Sequence, residues 1–168
     1  MGTLATYAET LNSIVVTLTL IVLIFSVRQN TQSQRVLAVE SLSAAIASIN
    51  IPAMESPALG AALAKVTIDW KSGTKEERTI AHYFLFSFFK LIEQAWYQQR
   101  AKALDAGQWA GWEKLVRVYY HSAGIQTFWW PSRREAFSRN FQNYLSSTSP
   151  VENVSSLSDL FEAERLTD

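Results

Sequence analysis

LNSIVVTLTLIVLIFSV (Leu11–Val27) is seventeen residues without a charge, and its reading decides what kind of chain this is. At about 1.5 Å rise per residue it is about 26 Å long as a helix, just under the thickness of a bilayer's hydrocarbon core. Ile14 to Phe25 are apolar on every face except at Thr17 and Thr19, whereas a helix of a soluble core is apolar on one stripe or is flanked by equally apolar partners. A cleaved signal peptide would have a basic start and a small-residue cleavage site. The start here, MGTLATYAET, holds no Lys or Arg, and SVRQN follows the run. The stretch is therefore expected to be a single N-terminal transmembrane helix, residues 1–27. Asn12, Thr17 and Thr19 are its polar positions. Thr hydroxyls in such helices bond back to their own backbone, and the alternative is a polar seam for self-association.

Charge is zero overall but uneven along the chain. Residues 28–148 carry fourteen Lys/Arg against nine Asp/Glu, and residues 149–168 carry one Arg against five acids. A mildly basic body with an acidic tail is too weakly charged to point to nucleic acid. Arg28 and Arg35 follow the apolar run and nothing basic but the α-amino group precedes it. The positive-inside tendency then puts the N-terminus outside and the body in the cytoplasm of an inner (plasma) membrane. The chain has no cysteine, which excludes disulfides, thiolate metal sites and a cysteine nucleophile.

Beyond the apolar run no Pro or Gly interrupts the chain until Pro52, so the first helix is expected to continue to about Asn50. Past Arg35 it turns amphipathic, with Val39, Leu42, Ile46 and Ile49 three and four apart. Such a seam packs on a body. Ser56-Pro57 reads as a cap opening a short helix to about Asp69, and Trp70–Gly73 as a turn. Thr74-Lys75-Glu76-Glu77 has the spacing of a capping box and should open a helix to about Leu104. The middle of that helix, IAHYFLFSFFKLI (Ile80–Ile92), is apolar nearly all round, as the central helix of a bundle must be. Asp105 caps the next helix, whose face is Trp109, Trp112, Val116 and Tyr119. Pro131–Glu135 reads as a further cap, opening a helix with Phe137, Phe141 and Tyr144 or Leu145 inward. Ser146–Ser156 is a polar linker, and Leu157–Leu166 is long enough for a short helix. The expected fold is all-α: a transmembrane helix (1–27) continuing into a helical bundle (28–147), then an acidic tail (148–168).

Several of these features occur together elsewhere. They are Arg28-Gln29-Asn30-Thr31, Glu93 with Trp96-Tyr97-Gln98, Leu104-Asp105 leading to Trp109 and Trp112, the Trp129/Arg133 segment, and the Phe141–Tyr144 pair. With them the chain resembles, over roughly residues 4–146, a loose group of uncharacterised bacterial proteins with one N-terminal span and a small helical domain. The resemblance implies topology and carries no activity.

Three sets of residues are candidates for function. His82, Lys90 and Glu93 form the polar set on the central helix. A buried carboxylate must be paired or protonated, so Glu93 is either a proton-handling group or an ordinary partner of Lys90. Trp129, Trp130, Arg133 and Arg134 combine rings and cations that suit a lipid headgroup layer, or else the tryptophans close the core and the arginines face solvent. Leu160 and Phe161 in the tail are possible docking anchors. Neither His82 nor His121 has metal-ligand spacing, and no P-loop, dinucleotide fingerprint or nucleophile elbow is present. No catalytic residue, cofactor or metal is expected. The expected partners are the bilayer and either a protein or further copies of the chain. The function expected is that of a membrane-anchored interaction or assembly protein. A small oligomeric channel and a membrane-tethered enzyme with a site near Glu93 are the alternatives.

Overall fold

The computed structural model describes residues 2–152. They are helical almost throughout, and no strand occurs among the described residues. Helix α1 (Gly2–Met54) is one uninterrupted rod of 53 residues. It passes through Pro52, four residues further than expected. A proline so near the helix end removes one backbone donor, and the chain leaves the helix two residues later.

The two parts of α1 meet different surroundings. From Val15 to Val27 the large apolar side chains are 44–66% exposed, and none of that stretch is buried among the described residues. The seam at Val39, Leu42, Ile46 and Ile49 packs on the body as its spacing predicts, with Leu42 buried and the other three partly so.

Helix α2 (Pro57–Ile68) begins at Ser56 with Pro57 in its first turn, although the Ser56 hydroxyl makes no capping bond. A 3₁₀ turn (Trp70–Ser72) buries Trp70. Helix α3 (Lys75–Arg100) opens with the expected capping box: the Thr74 hydroxyl accepts from the Glu77 N–H at 3.2 Å, and Glu77 Oε2 accepts from the Thr74 N–H at 2.6 Å. It is the central helix, with Ala81, Leu85, Phe88, Phe89, Ile92 and Ala95 among its buried residues, and it packs on α1, α2 and α4.

Helix α3 ends four residues before the expected Leu104. Lys102 takes a left-handed conformation (φ 59°). Its N–H donates to the Gln99 carbonyl, and the Ala103 N–H to the Gln98 carbonyl, both at 2.9 Å. This is the Schellman pattern, which glycine usually fills, so a lysine there gives no warning in sequence. The Asp105 carboxylate then accepts from the Gly107 N–H and caps α4 (Ala106–Tyr120), which buries Trp109, Val116 and Tyr119.

The expected cap at Pro131–Glu135 is wrong. Residues 125–136 form a π-helical turn (Ile125–Trp129), the four-residue helix α5 (Trp130–Arg133) and a 3₁₀ turn (Arg134–Ala136). The cap of the last helix, α6 (Arg139–Ser147), is Ser138, whose hydroxyl accepts from the Phe141 N–H. Phe141 and Leu145 are buried on α6, and Phe137 just before it. In the wide turn, the Trp130 N–H bonds the Ile125 carbonyl five residues back. The turn sits hard against α2 because residue 124 is glycine. A Cβ there would lie 1.9 Å from the Val66 carbonyl oxygen and 2.9 Å from the Trp70 nitrogen.

Candidate functional site

Helix α3 runs antiparallel to the body-facing part of α1, and this sets the two ends of the body. At one end Arg35 Nε donates to the Lys102 carbonyl at 3.2 Å, tying the α3–α4 turn to α1 eight residues after Val27. Further along, Ile46 and Ile49 share a shallow apolar groove with Phe84 and Phe88. The first turns of α3 are therefore at the end of the body remote from Val15–Val27.

The polar set on α3 is not a single cluster. Glu93 is buried and engaged at both oxygens. One accepts from Lys90 Nζ at 2.9 Å and the other from the Ser138 N–H at 2.7 Å. Lys90 also donates to the Ala136 carbonyl and lies 4.5 Å from the centre of the Phe137 ring. Burial raises the Glu93 pKa, but the bonds from Lys90 and Ser138 outweigh it and the net direction is down. The pair is thus a clasp that holds the Ala136–Ser138 turn and starts α6. His82, two to three turns earlier on α3, takes no part. Its Nδ1 accepts from the Trp129 indole N–H at 3.1 Å.

The Trp–Arg segment divides in two. Trp129 is 2% exposed and Trp130 6%, and both stack about Phe89, with ring centres 5.3 and 5.5 Å away. Trp130 also packs on Phe137 at 5.0 Å. Of the two arrangements expected for this segment, the tryptophans take the one in which they close the core. Arg133 and Arg134 are exposed, and Arg134 pairs with Glu135 at 3.4 Å. Leu160 and Phe161, with the expected tail helix, lie outside the described residues.

An open cleft of about 390 Å³ lies on the body. One wall is a face of α3: Lys75, Arg78, Thr79, His82 and Tyr83, spaced three and four apart. The other is Trp70 together with Phe128, Trp129, Ser132 and Arg133. Gly124 brings these two parts of the second wall together through its contact with Val66 and Trp70. Lys71 stands at the rim, 5.7 Å from the Phe128 ring centre. Among the described residues no carboxylate lines the cleft. The neighbouring Glu77 is occupied by Lys65 at 3.0 Å and by the Thr74 N–H. Among the described residues the ion pairs are Lys65–Glu77, Lys90–Glu93 and Arg134–Glu135, so the charges of Lys75, Arg78 and Arg133 are uncompensated. Burial, with Arg133 nearby, holds His82 below its ordinary pKa. Because Nδ1 accepts from Trp129, the neutral ring carries its proton on Nε2.

Sequence reasoning found His82 and Arg133 but not that they share a site. The α3 stripe from Lys75 to Tyr83 was legible at helical spacing. The opposite wall was not, since it depends on the π-helical turn and the close approach at Gly124. No group of His, Asp and Glu suited to a metal ion occurs among the described residues. In comparisons with known proteins, no protein-family model, no curated protein and no solved structure matches this chain.

Proposed function

We propose that this is a membrane-anchored interaction protein, in which residues 1–27 cross an inner (plasma) membrane and the helical body stands in the cytoplasm to bind a protein partner or further copies of itself. The observation that carries the reading is the contrast along α1. Its first apolar stretch is uncovered on all sides, yet it continues without a break into a seam that the body buries. Soluble monomers rarely leave so much contiguous apolar surface in water. Arg28 and Arg35 directly after the apolar stretch favour the cytoplasmic side for the body.

The other two readings draw less support. A channel would turn the polar groups of the span inward, but the Thr19 hydroxyl donates to the Val15 carbonyl at 2.8 Å, satisfying it within its own helix. The side chain of Asn12 lies outside the described residues. An enzyme centred on Glu93 would need a free carboxylate, and both of its oxygens are bonded within the fold.

The test is the mass and protein content of the assembly extracted from its native membrane in mild detergent. A stoichiometric second protein, or a clean multiple of 18.9 kDa, supports the reading. A monodisperse single copy without a partner, or a chain recovered from the soluble fraction, refutes it.

A further inference from the structure

We propose that the cleft between the first turns of α3 and the Phe128–Arg133 segment binds a small, soluble phosphorylated molecule with a flat apolar body. Three observations lead there. First, its cations are unspent: among the described residues Lys75, Arg78 and Arg133 have no ion pair and no acid lines the cleft. Two are guanidiniums, whose planar fork of donors matches an oxyanion. Three positive charges lining one cleft suit a dianion such as a phosphate monoester. A single carboxylate would leave two of them uncompensated.

Second, the Trp129 indole fixes the His82 tautomer, so Nε2–H adds a neutral donor that has no partner among the described residues. Protonating Nδ1 would set two N–H donors against each other, and burial and Arg133 already disfavour the charged ring. Third, the remaining wall is aromatic. Tyr83 is 68% exposed and Phe128 41%, and Trp70 and Trp129 lie behind them. Exposed rings beside cations recognise a flat apolar group attached to an anion. The volume, about 390 Å³, fits a molecule of that size.

The soluble source of the ligand rests on the membrane reading. If α1 is straight, Ile49 stands about 33 Å along the rod from Val27, and the first turns of α3 are at that end of the body. Headgroups of the protein's own bilayer do not extend so far.

The experiment is a titration of the full chain in zwitterionic detergent, followed by tryptophan fluorescence and by equilibrium dialysis. The probes are phenyl phosphate, inorganic phosphate, phenol and phosphatidylglycerol vesicles, each alone. Phenyl phosphate should saturate, inorganic phosphate should bind at least about tenfold more weakly, and phenol should show no saturation. Arg78→Gln and Arg133→Gln should each weaken phenyl phosphate by about tenfold or more; the melting temperature should be unchanged in Arg133→Gln, where the side chain is exposed, and little changed in Arg78→Gln, where it is half-buried but has no ion pair among the described residues. Arg134→Gln, outside the cleft, should bind as the parent does. Failure of phenyl phosphate to saturate, undiminished binding by an Arg78→Gln/Arg133→Gln double variant, or binding of the vesicles without the soluble probe would overturn the proposal. A chain that binds phenyl phosphate but is recovered from the soluble fraction would keep the cleft and refute the anchor, so the two readings fail separately.

Discussion

The two halves of α1 satisfy their apolar residues in opposite ways. From Val15 to Val27 the side chains are apolar on every face apart from Thr17, Thr19 and Ser26, and the large apolar ones are exposed among the described residues. From Val39 to Ile49 the apolar residues collapse to one stripe, and the body covers that stripe. The helix is continuous through both, so the difference lies in side-chain pattern and not in backbone. A change in the body should therefore alter folding without touching the first half, and a change in the first half should alter where the protein resides without unfolding the body.

The largest expected effect of this kind is at Gly124. Gly124→Ala drives a methyl into the Val66 carbonyl, which belongs to a helix backbone and has little room to yield. It should destabilise the body by about 3 kcal/mol, measured by chemical denaturation in detergent, and leave membrane retention unchanged. Wild-type stability in that variant would mean that the π-helical turn is not held against α2.

Next is the clasp at Glu93. Glu93→Ala strands the Ser138 N–H and should cost about 2 kcal/mol. Glu93→Gln keeps an acceptor and should cost less. Because the folded-state pKa of Glu93 is lowered, its contribution is present above the ordinary carboxyl value of 4.5 and is lost as pH falls through the folded value. The stability of the parent protein should thus decline on acidification below about pH 4.5, and the decline should be shallower in Glu93→Gln. Identical pH profiles would show that the carboxylate holds nothing.

The smallest effect is where the halves of α1 meet the body's near end. Lys102 occupies a left-handed position that costs a residue with a Cβ about 1 kcal/mol or more. Lys102→Gly should raise stability by about 0.5 kcal/mol, since glycine's greater freedom in the unfolded chain offsets part of the gain. The Arg35 bond to the residue 102 carbonyl does not depend on the side chain replaced. A loss of stability would mean that the lysine side chain itself braces the turn.

Much of the fold was legible because local chemistry decides it. The capping box at Thr74–Glu77, the helix start at Ser56-Pro57, the cap at Asp105 and the seam from Val39 to Ile49 all follow from residues a few positions apart. The misreadings occur where distant residues decide or where a local signal takes an uncommon residue. Pro131-Ser132-Arg133-Arg134-Glu135 has the composition of a helix start, but the clasp from Lys90 and Glu93 onto Ala136 and Ser138 puts the start at Ser138. The end of α3 was overrun because lysine fills a place where glycine would have signalled a stop. Trp129 and Trp130 look alike in sequence to a membrane-facing pair, and only their stacking on Phe89 shows that they are core. The cleft was half legible for the same reason: one wall is a helical stripe, and the other is assembled by the approach of Gly124 to Val66.

The most direct test of the central claim uses the absence of cysteine. Single cysteines at Val22 and at the exposed body position Glu40 are reacted with a membrane-impermeant maleimide in sealed cells, in opened membranes and after detergent. The account predicts that Val22→Cys is protected until detergent is added, and that Glu40→Cys is protected in sealed cells but reacts once the membranes are opened. Equal labelling of both positions in opened membranes without detergent would contradict it, and would return α1 to the surface of a soluble assembly.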